Sequence, residues 1–185
     1  KQSETDQMTG LANRYRLNDY SDKVLDYCYE HRLSLAMEIL DIDFFKQYND
    51  NYGHQQGDEC IIAIADELKK MEDRQTFCAR YGGDEFIIIY AGASAEEVYA
   101  KAAALRQNIM DLKLEHLYSK ALPIVTISQG ISYGVPEEGN RSWDFLHTAD
   151  MLLYQVKKKS RNDICIADIR GQELDLSSKQ EKVEP

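Results

Sequence analysis

Basic residues are in deficit in this sequence: 22 Lys and Arg stand against 32 Asp and Glu among 185 residues, which gives a formal net charge of −10. An acidic surface of this kind repels the phosphates of a nucleic acid over any broad face. We therefore exclude a general nucleic-acid binder and expect no nucleic-acid partner. If the protein handles phosphates, it does so in a small local site with the help of a cation.

Cysteine pairs and long apolar runs are also missing. The four cysteines are scattered without a C-x-x-C pair and lie beside apolar neighbours, so we predict buried, reduced side chains in the cytoplasm. The four histidines are equally isolated, which argues against a zinc site. Apolar runs of only a few residues predict no membrane span and no membrane contact by this domain. The chain begins at Lys1 without a signal peptide, so it is expected to be part of a longer protein, whose anchoring in a membrane stays open.

The order of the apolar patterns predicts one α+β domain over residues 1–168, followed by a flexible polar tail over 169–185. Helices are predicted at 14–31, from Gly57 onward, after Ser94 and at 142–159, and strands at 33–40, 74–81, 86–90, 124–133 and 164–167. From the first strand the order is β-α-α-β-β-α-β-α-β. This order favours a central, mostly antiparallel five-stranded sheet of the split βαβ type, packed by helices.

The run Leu40-Asp41-Ile42-Asp43-Phe44-Phe45-Lys46 ends an apolar strand in two carboxylates. Asp41 and Asp43 are two positions apart, so both project to one side as long as the backbone stays extended. Hard divalent cations prefer oxygen ligands, and Mg²⁺ usually takes one or two carboxylates together with phosphate oxygens. Lys46 follows closely as a point charge for a phosphate. The alternative is an acidic strand-to-helix loop in which an Asp caps the helix.

The run Arg80-Tyr81-Gly82-Gly83-Asp84-Glu85-Phe86 is typical of a hairpin between two apolar strands. Its two glycines permit positive φ and let the backbone approach a ligand. Two acids at a hairpin tip repel each other unless a cation or a basic group offsets the repulsion. A plain solvated β-turn would explain the same residues. An antiparallel neighbour of the first strand would, however, carry Asp84 next to Asp41, and three carboxylates from two strands form a candidate two-metal site.

Two polar stretches complete the candidate site. Residues 49–58 are polar and interrupted by glycine between two helices, and Asn49 and Asp58 offer the donors and acceptors that read a base edge. A helix–loop–helix connection capped by Asn and Asp is the alternative. Residues 157–162 concentrate cations at a helix C-terminus. They suit either a triphosphate clamp or a solvated helix end that favours the helix dipole.

Together these stretches resemble the GGDEF domains of bacterial diguanylate cyclases. Residues 82–86 spell the name of the family, and residues 6–14 are similar to its opening motif D-x-L-T-G-L-x-N-R, with Met8 in place of Leu. Residues 41–58 resemble its D-x-D-x-F-K…N-D…G-H-x-x-G-D run. Residues 149–162 resemble its closing A-D-x-A-L-Y-x-A-K-x-x-G-R-N, with Ser160 where Gly is usual. Four motifs in this order and spacing make the resemblance specific.

The resemblance implies a nucleotidyl-cyclase or palm-like fold with the GGDEF motif on a β-hairpin. It also implies an enzyme that joins two GTP molecules into cyclic di-GMP and releases two pyrophosphates. The implied cofactor is Mg²⁺, with Mn²⁺ as an alternative, held by Asp41, the backbone carbonyl of Ile42, and Asp84. The implied catalytic residues are Asp84, Glu85 and Lys46. The implied GTP contacts are Phe44, Phe45 and Lys46 at the β- and γ-phosphates, Asn49, His54 and Asp58 at guanine, and Lys157 and Arg161 at the distal phosphates.

The symmetry of the product sets a requirement on partners. One domain holds one GTP, whereas the product is a two-fold symmetric ring, so two domains must face each other across a two-fold axis. The expected partners are GTP, a second copy of the chain, and an upstream sensor or dimerisation module. The alternative is a silent GGDEF domain that binds GTP or cyclic di-GMP; the presence of the hairpin acids, Asp41 and Lys46 argues against it. A cyclase for adenine nucleotides is disfavoured by Asp58, because a carboxylate accepts from N1–H and the 2-amino group of guanine.

Many members of this family carry an inhibitory Arg-x-x-Asp site, whose Asp lies six positions before the first hairpin glycine. Counting back from Gly82 places Asp73 and Thr76 at its two positions, and the partner of Arg74 three residues on is Phe77. An acid in place of the arginine repels a phosphodiester and cannot bind it bidentately. We therefore predict that the chain has no inhibitory product site.

Overall fold

The computed structural model describes residues 2–174 and 176, and its helices and strands follow the predicted order. The helices are α1 (Arg14–His31), α2 (Phe45–Tyr52), α3 (His54–Lys69), α4 (Ala95–Asp111) and α5 (Ser142–Lys159). The strands are β1 (Leu35–Ile42), β2 (Thr76–Gly82), β3 (Glu85–Ala91), β4 (Ile127–Gly134) and β5 (Ile164–Asp168).

The strands form a five-stranded sheet in the order β2-β3-β1-β4-β5. β1 lies antiparallel between β3 and β4, β2 is antiparallel to β3, and β5 is parallel to β4. The predicted α+β fold with a mostly antiparallel central sheet is therefore confirmed. Because β1 is the middle strand, the residues at its C-terminal end have a neighbouring strand on each side.

Helices cover both faces of the sheet, which explains why β1 is apolar without alternation: all eight of its residues are buried. On one face, α3 and α4 contribute residues such as Ile64 and Leu105 to a hydrophobic cluster. On the other face, α1 and α5 contribute residues such as Leu17 and Leu153. All four cysteines are buried and free, as predicted. No helix in the described part of the chain is long and apolar enough to cross a bilayer.

α5 packs directly on the backbone of β4 at Gly130. A Cβ on this residue would lie 2.3 Å from the carbonyl oxygen of Ala149 and 2.4 Å from the backbone nitrogen of Leu153. Only glycine permits this close approach. Since α5 contacts β1 as well as β4, its C-terminal half is brought to the end of the central strand.

The predicted polar connection over residues 49–58 is shorter in the structure. Only Gly53, with φ of +89°, separates the two helices, so Asn49 lies in α2 and Asp58 in α3. Their polar residues are helical because the few apolar positions, Tyr48 in α2 and Cys60 in α3, face the core while the polar positions face outward.

The predicted tail begins with residues that contact the domain. The backbone N–H of Leu174 donates to the carbonyl oxygen of Ile166 at 2.8 Å, and Leu176 is buried against the core. Residue 175 and residues 177–185, the rest of the predicted tail, lie outside the described residues.

Candidate functional site

The two acidic motifs meet at the C-terminal end of β1. The register of β1 with β3 places Asp41 directly opposite Glu85, and Asp84 lies in the turn before β3. Asp84 also forms a hydrogen bond with the backbone of Ile42. The structure therefore brings together Asp41, Ile42, Asp84 and Glu85, which are the residues predicted for the metal and two of the three predicted for catalysis. The third predicted catalytic residue, Lys46, lies in α2.

Asp43 does not join this cluster. It is fully buried and faces β4, where its carboxylate accepts hydrogen bonds from the hydroxyls of Thr126 at 2.7 Å and Ser128 at 2.5 Å. The extended backbone that would have carried Asp41 and Asp43 to one side ends with β1 at Ile42. Among the residues that the structure describes, no three His, Cys, Asp or Glu side chains form a metal-binding group. The three-carboxylate arrangement expected from the sequence is therefore not formed by these side chains.

The remaining oxygen atoms suit a hard cation. Oδ1 of Asp41 is buried and has no hydrogen-bond partner among the residues that the structure describes. Asp84 is partly buried, and the carbonyl group of Ile42 follows Asp41 directly in the chain. Carboxylate and carbonyl oxygens are the ligands that Mg²⁺ takes in proteins. A buried carboxylate oxygen without a donor costs free energy, and a bound cation would remove that cost.

One cation of the protein itself already faces this cluster. The ammonium group of Lys157, on α5, forms an ion pair with Oδ2 of Asp41. Burial raises the pKa of Asp41 to about 7; Lys157 opposes the rise, while Asp84 and Asp43 add to it. Burial also raises the pKa values of Asp84 and Glu85, and the charge of Asp84 adds to the rise at Glu85. The cluster is thus a buried concentration of negative charge that favours a positive ion.

The junction between β1 and α2 is the predicted contact for the β- and γ-phosphates. Phe44 has left-handed backbone angles, φ +54° and ψ +38°, directly before α2. The N–H groups of Phe45 and Lys46 lie in the first turn of α2, where a helix leaves N–H groups without intrahelical partners and attracts anions. The side chain of Lys46 is exposed. Arg161 reaches the same junction, since its Cζ lies 4.1 Å from the centre of the Phe44 ring.

The predicted guanine contacts lie on α2 and α3. Asn49 Oδ1 is buried without a hydrogen-bond partner. It occupies the space next to Gly57, where a Cβ would lie 1.8 Å from this oxygen. His54 and Asp58 are exposed in the first turns of α3. Among the described residues, neither of these two side chains forms an ion pair, and they are less confined than the acids at the end of β1.

Known proteins match this chain in sequence and in fold. The family model described as "Diguanylate cyclase, GGDEF domain" matches residues 3–163. The chain belongs to the GGDEF domain family. It is 34% identical over 163 residues to the probable diguanylate cyclase DgcC of Escherichia coli K12, covering 86% of this chain and 42% of that protein. It is 31% identical over 160 residues to the response regulator PleD of Caulobacter vibrioides, covering 86% and 35%. The GGDEF domain thus spans less than half the length of these bacterial relatives.

Solved structures agree with this assignment. The GGDEF domain of DgcB from Caulobacter crescentus, in complex with cyclic di-GMP, superposes with a TM-score of 0.81 at 30% identity, covering 90% of this chain and 94% of that chain. The active GGEEF domain of a diguanylate cyclase from Vibrio cholerae gives a TM-score of 0.73 at 29% identity, covering 84% and 97%. The sequence-based identification as a diguanylate cyclase GGDEF domain is confirmed.

The GGDEF hairpin is held by residues to which the sequence analysis assigns no role. Arg80 donates to the carbonyl oxygen of Gly83 from Nε at 3.1 Å and from Nη2 at 2.9 Å. Its Nη1 lies 3.4 Å from both carboxylate oxygens of Asp6, in the opening motif. In the sequence, the only indication of this role is that Arg80 begins the run 80–86, just before the GGDEF residues. The opening motif therefore stabilises the turn that carries Asp84.

His116 is a second residue of this kind. It is fully buried, and its Nε2 lies 3.0 Å from the carbonyl oxygen of Phe44. Its ring also packs edge-on against Tyr48 in α2, with 5.2 Å between ring centres. His116 thereby supports the left-handed residue that begins the phosphate junction. No motif marks this histidine in the sequence, because its partners are distant along the chain.

Asp73 and Thr76, which stand at the two positions of the family's inhibitory site, both contact a lysine in this GGDEF domain. Lys101, on α4, donates from Nζ to Oδ2 of Asp73 at 3.2 Å and to Oγ1 of Thr76 at 2.8 Å. Both residues at this position are therefore joined to a lysine of the same chain.

Proposed function

We propose that this GGDEF domain is an active, Mg²⁺-dependent diguanylate cyclase that works as a two-fold pair. The observation that carries the proposal is the convergence of Asp41, Asp84 and Glu85 around a buried carboxylate oxygen that has no hydrogen-bond donor. A silent nucleotide-binding domain has no need to bury acids of like charge together. An enzyme that must hold a cation beside a triphosphate does.

The proposed reaction makes two identical bonds. In each step the 3′-oxygen of one GTP bonds to the α-phosphorus of the other, and the bond from that phosphorus to the pyrophosphate oxygen breaks. The proton of the 3′-hydroxyl passes to solvent water, and pyrophosphate is released. Asp41, the carbonyl of Ile42, and Asp84 would hold Mg²⁺; Mn²⁺ takes similar oxygen ligands. When bound, the ion stabilises the attacking and the leaving oxygen atoms. Glu85, directly opposite Asp41, would support the turn and the metal site.

The chain's cations would bind and orient the triphosphate. Lys46 and the N–H groups at the start of α2, beside Phe44 and Phe45, would bind the β- and γ-phosphates, and Lys46 would offset the charge that develops during the reaction. Lys157 and Arg161 would hold the distal phosphates. Because Lys157 is paired with Asp41 in this structure, it must exchange that partner for a phosphate when the nucleotide binds.

The base would be held at α2 and α3. Asn49, with its unpartnered buried oxygen, and Asp58 would hydrogen-bond to guanine, and His54 would lie at the edge of the pocket. A carboxylate at Asp58 accepts from the N1–H and 2-amino groups of guanine, whereas adenine lacks that donor pair. The proposed substrate is therefore GTP rather than ATP.

The pairing of two domains would come from elsewhere in the parent protein. The product ring has two-fold symmetry, and each domain holds one nucleotide, so two sites must face each other. The relatives are more than twice as long as the matched domain, and the structure of DgcB includes a coiled coil joined to its GGDEF domain. An upstream sensor or dimerisation module is the corresponding proposal here.

The test of activity uses the chain fused to a parallel two-stranded coiled coil and incubated with GTP and Mg²⁺. We expect cyclic di-GMP and pyrophosphate, measured by chromatography. Asp84→Asn should lower the rate at least about a hundredfold, since a charged ligand is lost. Asp84→Glu is the matched control and should keep substantial activity, because the Vibrio cholerae domain described as active carries Glu at this position of the motif. A dimeric protein that binds GTP but forms no product would favour the silent alternative.

The test of base recognition is Asp58→Ser. We expect the preference for GTP over ATP to fall about tenfold or more, because the bidentate acceptor is lost. The measurement is the affinity of the chain for each nucleotide, and His54→Gln at the edge of the pocket should change it less. An undiminished preference for GTP would remove Asp58 from the base site.

A further inference from the structure

Asp43 is a fully buried acid beside the candidate site to which the proposed reaction gives no task. Its two carboxylate oxygens accept hydrogen bonds from the hydroxyls of Thr126 at 2.7 Å and Ser128 at 2.5 Å. A third donor is the backbone N–H of Asn162, 3.0 Å from Oδ2. Nη1 of Arg161 lies 3.8 Å from Oδ1. The two hydroxyls come from Ser128 in β4 and from Thr126 directly before it, and the other two groups come from the turn after α5. Asp43 therefore joins the end of β1 to both.

The turn that Asp43 holds has an unfavourable backbone. Arg161 and Asn162 have φ of +53° and +46°, left-handed values that are disfavoured for residues with a side chain. The N–H of Arg161 closes α5 by donating to Val156 at 2.9 Å. On the outer side, Nε of Arg106 donates to the carbonyl oxygen of Asn162 at 2.6 Å. Asp43 therefore stabilises from the inside a turn that would not adopt this shape alone.

The chemistry of these donors specifies a carboxylate. Two hydroxyls and a backbone N–H donate to the side-chain oxygens of Asp43, and a guanidinium group lies 3.8 Å away; a carboxylate offers only acceptors to these groups. An Asn side chain at this position would turn an NH₂ group toward one of these donors. A buried charge also strengthens the attraction to Arg161, because the surroundings screen it less than water does.

We propose that Asp43 is a positioning residue for recognition of the distal phosphates of the nucleotide. Its carboxylate fixes the left-handed turn, and the turn directs Arg161 across the face of Phe44, where Cζ and the ring centre are 4.1 Å apart. The inference rests on the proposed function, from which the contact of Arg161 with the distal phosphates is taken. Asp43 itself is enclosed by protein and acts through Arg161.

The experiment compares the affinities of GTP and GMP in the same Mg²⁺ buffer by calorimetry. GMP has no distal phosphates, so a loss of the Arg161 contact weakens GTP and leaves GMP unchanged. For Asp43→Asn we expect the ratio of the two affinities to fall about tenfold. Glu38→Gln is the matched control, because Glu38 is also fully buried on β1 but lies in the core. The control should keep the wild-type ratio.

A double-mutant cycle tests whether Asp43 acts through Arg161. Asp43→Asn should cause no further fall in the ratio when Arg161 is already Ala, because both substitutions remove one interaction. If Asp43→Asn does not fold, Ser128→Ala removes one donor to the same carboxylate and should lower the ratio by a smaller factor. Equal weakening of GTP and GMP, an unchanged ratio, or fully additive effects would overturn the proposal. Binding needs no turnover, so a chain without cyclase activity would still decide this question.

Discussion

Two lysine–aspartate pairs lie at different parts of the sheet, and the pKa of the aspartate is shifted in opposite directions in the two pairs. In the pair of Lys157 and Asp41, the side chains are 29% and 7% exposed, and burial raises the pKa of Asp41 to about 7. In the pair of Lys101 and Asp73, they are 31% and 52% exposed. There the backbone N–H of Gln75, together with Lys101, lowers the pKa of Asp73.

This difference in burial and in pKa indicates which of the two aspartates is suited to bind a cation. An exposed pair contributes about 0–1 kcal/mol and satisfies both partners. The carboxylate of Asp41 has lost most of its hydration, and a single lysine, itself 29% exposed, does not fully replace it. At Asp41 one carboxylate oxygen still lacks a donor, and Asp84 adds further negative charge. Asp41 is therefore suited to exchange its lysine for a divalent ion.

The largest expected effect on ligand binding in this comparison is on Lys157. Lys157→Met should increase the affinity for Mn²⁺ in the absence of nucleotide by about tenfold, or about 1.4 kcal/mol, because the ammonium group no longer competes for Asp41. The same variant should bind GTP about tenfold or more weakly, since a cation for the phosphates is lost. Paramagnetic resonance of Mn²⁺ measures the first effect, and calorimetry measures the second.

Lys101→Met is the matched control for this prediction. It removes a lysine from the exposed pair with Asp73 and should leave both affinities within about twofold of the wild-type values. An unchanged affinity of Lys157→Met for Mn²⁺ would contradict the prediction that Lys157 and a divalent ion compete for Asp41.

Glu38 sharpens the comparison, because it is buried on β1 and, within the described part of the chain, forms no ion pair. Its carboxyl group accepts a hydrogen bond from the hydroxyl of Tyr90 at 2.8 Å, and burial raises its pKa to about 8. A pKa higher in the folded than in the unfolded chain contributes stability that is complete below the unfolded value near 4.5 and is lost as pH rises to about 8. Burial by itself thus produces a neutral structural acid.

We expect Glu38→Gln to weaken the dependence of the unfolding free energy on pH. Between about pH 5 and pH 8 the variant should lose on the order of 2–4 kcal/mol less unfolding free energy than the wild type, because no proton has to leave a buried group. Urea unfolding at several pH values measures it. Asp73→Asn is the control: the lowered pKa of Asp73 gives stability that is present above its unfolded value and lost only in acid, so this variant should keep the wild-type slope. The same slope in Glu38→Gln would show that Glu38 does not titrate in this range.

The parts of the site that the sequence predicts are those set by local rules. Hairpin chemistry and the antiparallel neighbour of the first strand predict that Asp84 lies near Asp41, and the register of β1 with β3 agrees. The helices predicted at about 14–31 and at 142–159 correspond to α1 and α5. The hairpin and the helix bounds depend on side-chain period and turn residues, which one segment specifies by itself. The proximity of Asp84 to Asp41 follows only once β3 is placed beside β1.

The parts that the sequence does not predict depend on distant partners. Asp43 turns away from Asp41 because the hydroxyls of Thr126 and Ser128 donate hydrogen bonds to its carboxylate. These two residues lie more than eighty positions later in the chain. Lys157 pairs with Asp41 because α5 packs closely on β4, which no period in either segment indicates. Spacing along the chain does not indicate which distant residues will contact each other until the order of the strands in the sheet is known.

The smallest expected effect is on product inhibition, at the exposed pair. An inhibitory site of the family's kind has an arginine and an aspartate, whereas this chain has Asp73 and Thr76 at these positions, both joined to Lys101. Adding cyclic di-GMP to the coiled-coil dimer at saturating GTP should therefore leave the initial rate unchanged apart from weak competition at the active site. Lys101→Met should respond in the same way as the wild type. Strong non-competitive inhibition that disappears in Asp73→Ala or Arg74→Ala would contradict the prediction. Such a result would mean that this exposed surface binds the product even though it lacks the arginine and aspartate of the family's site.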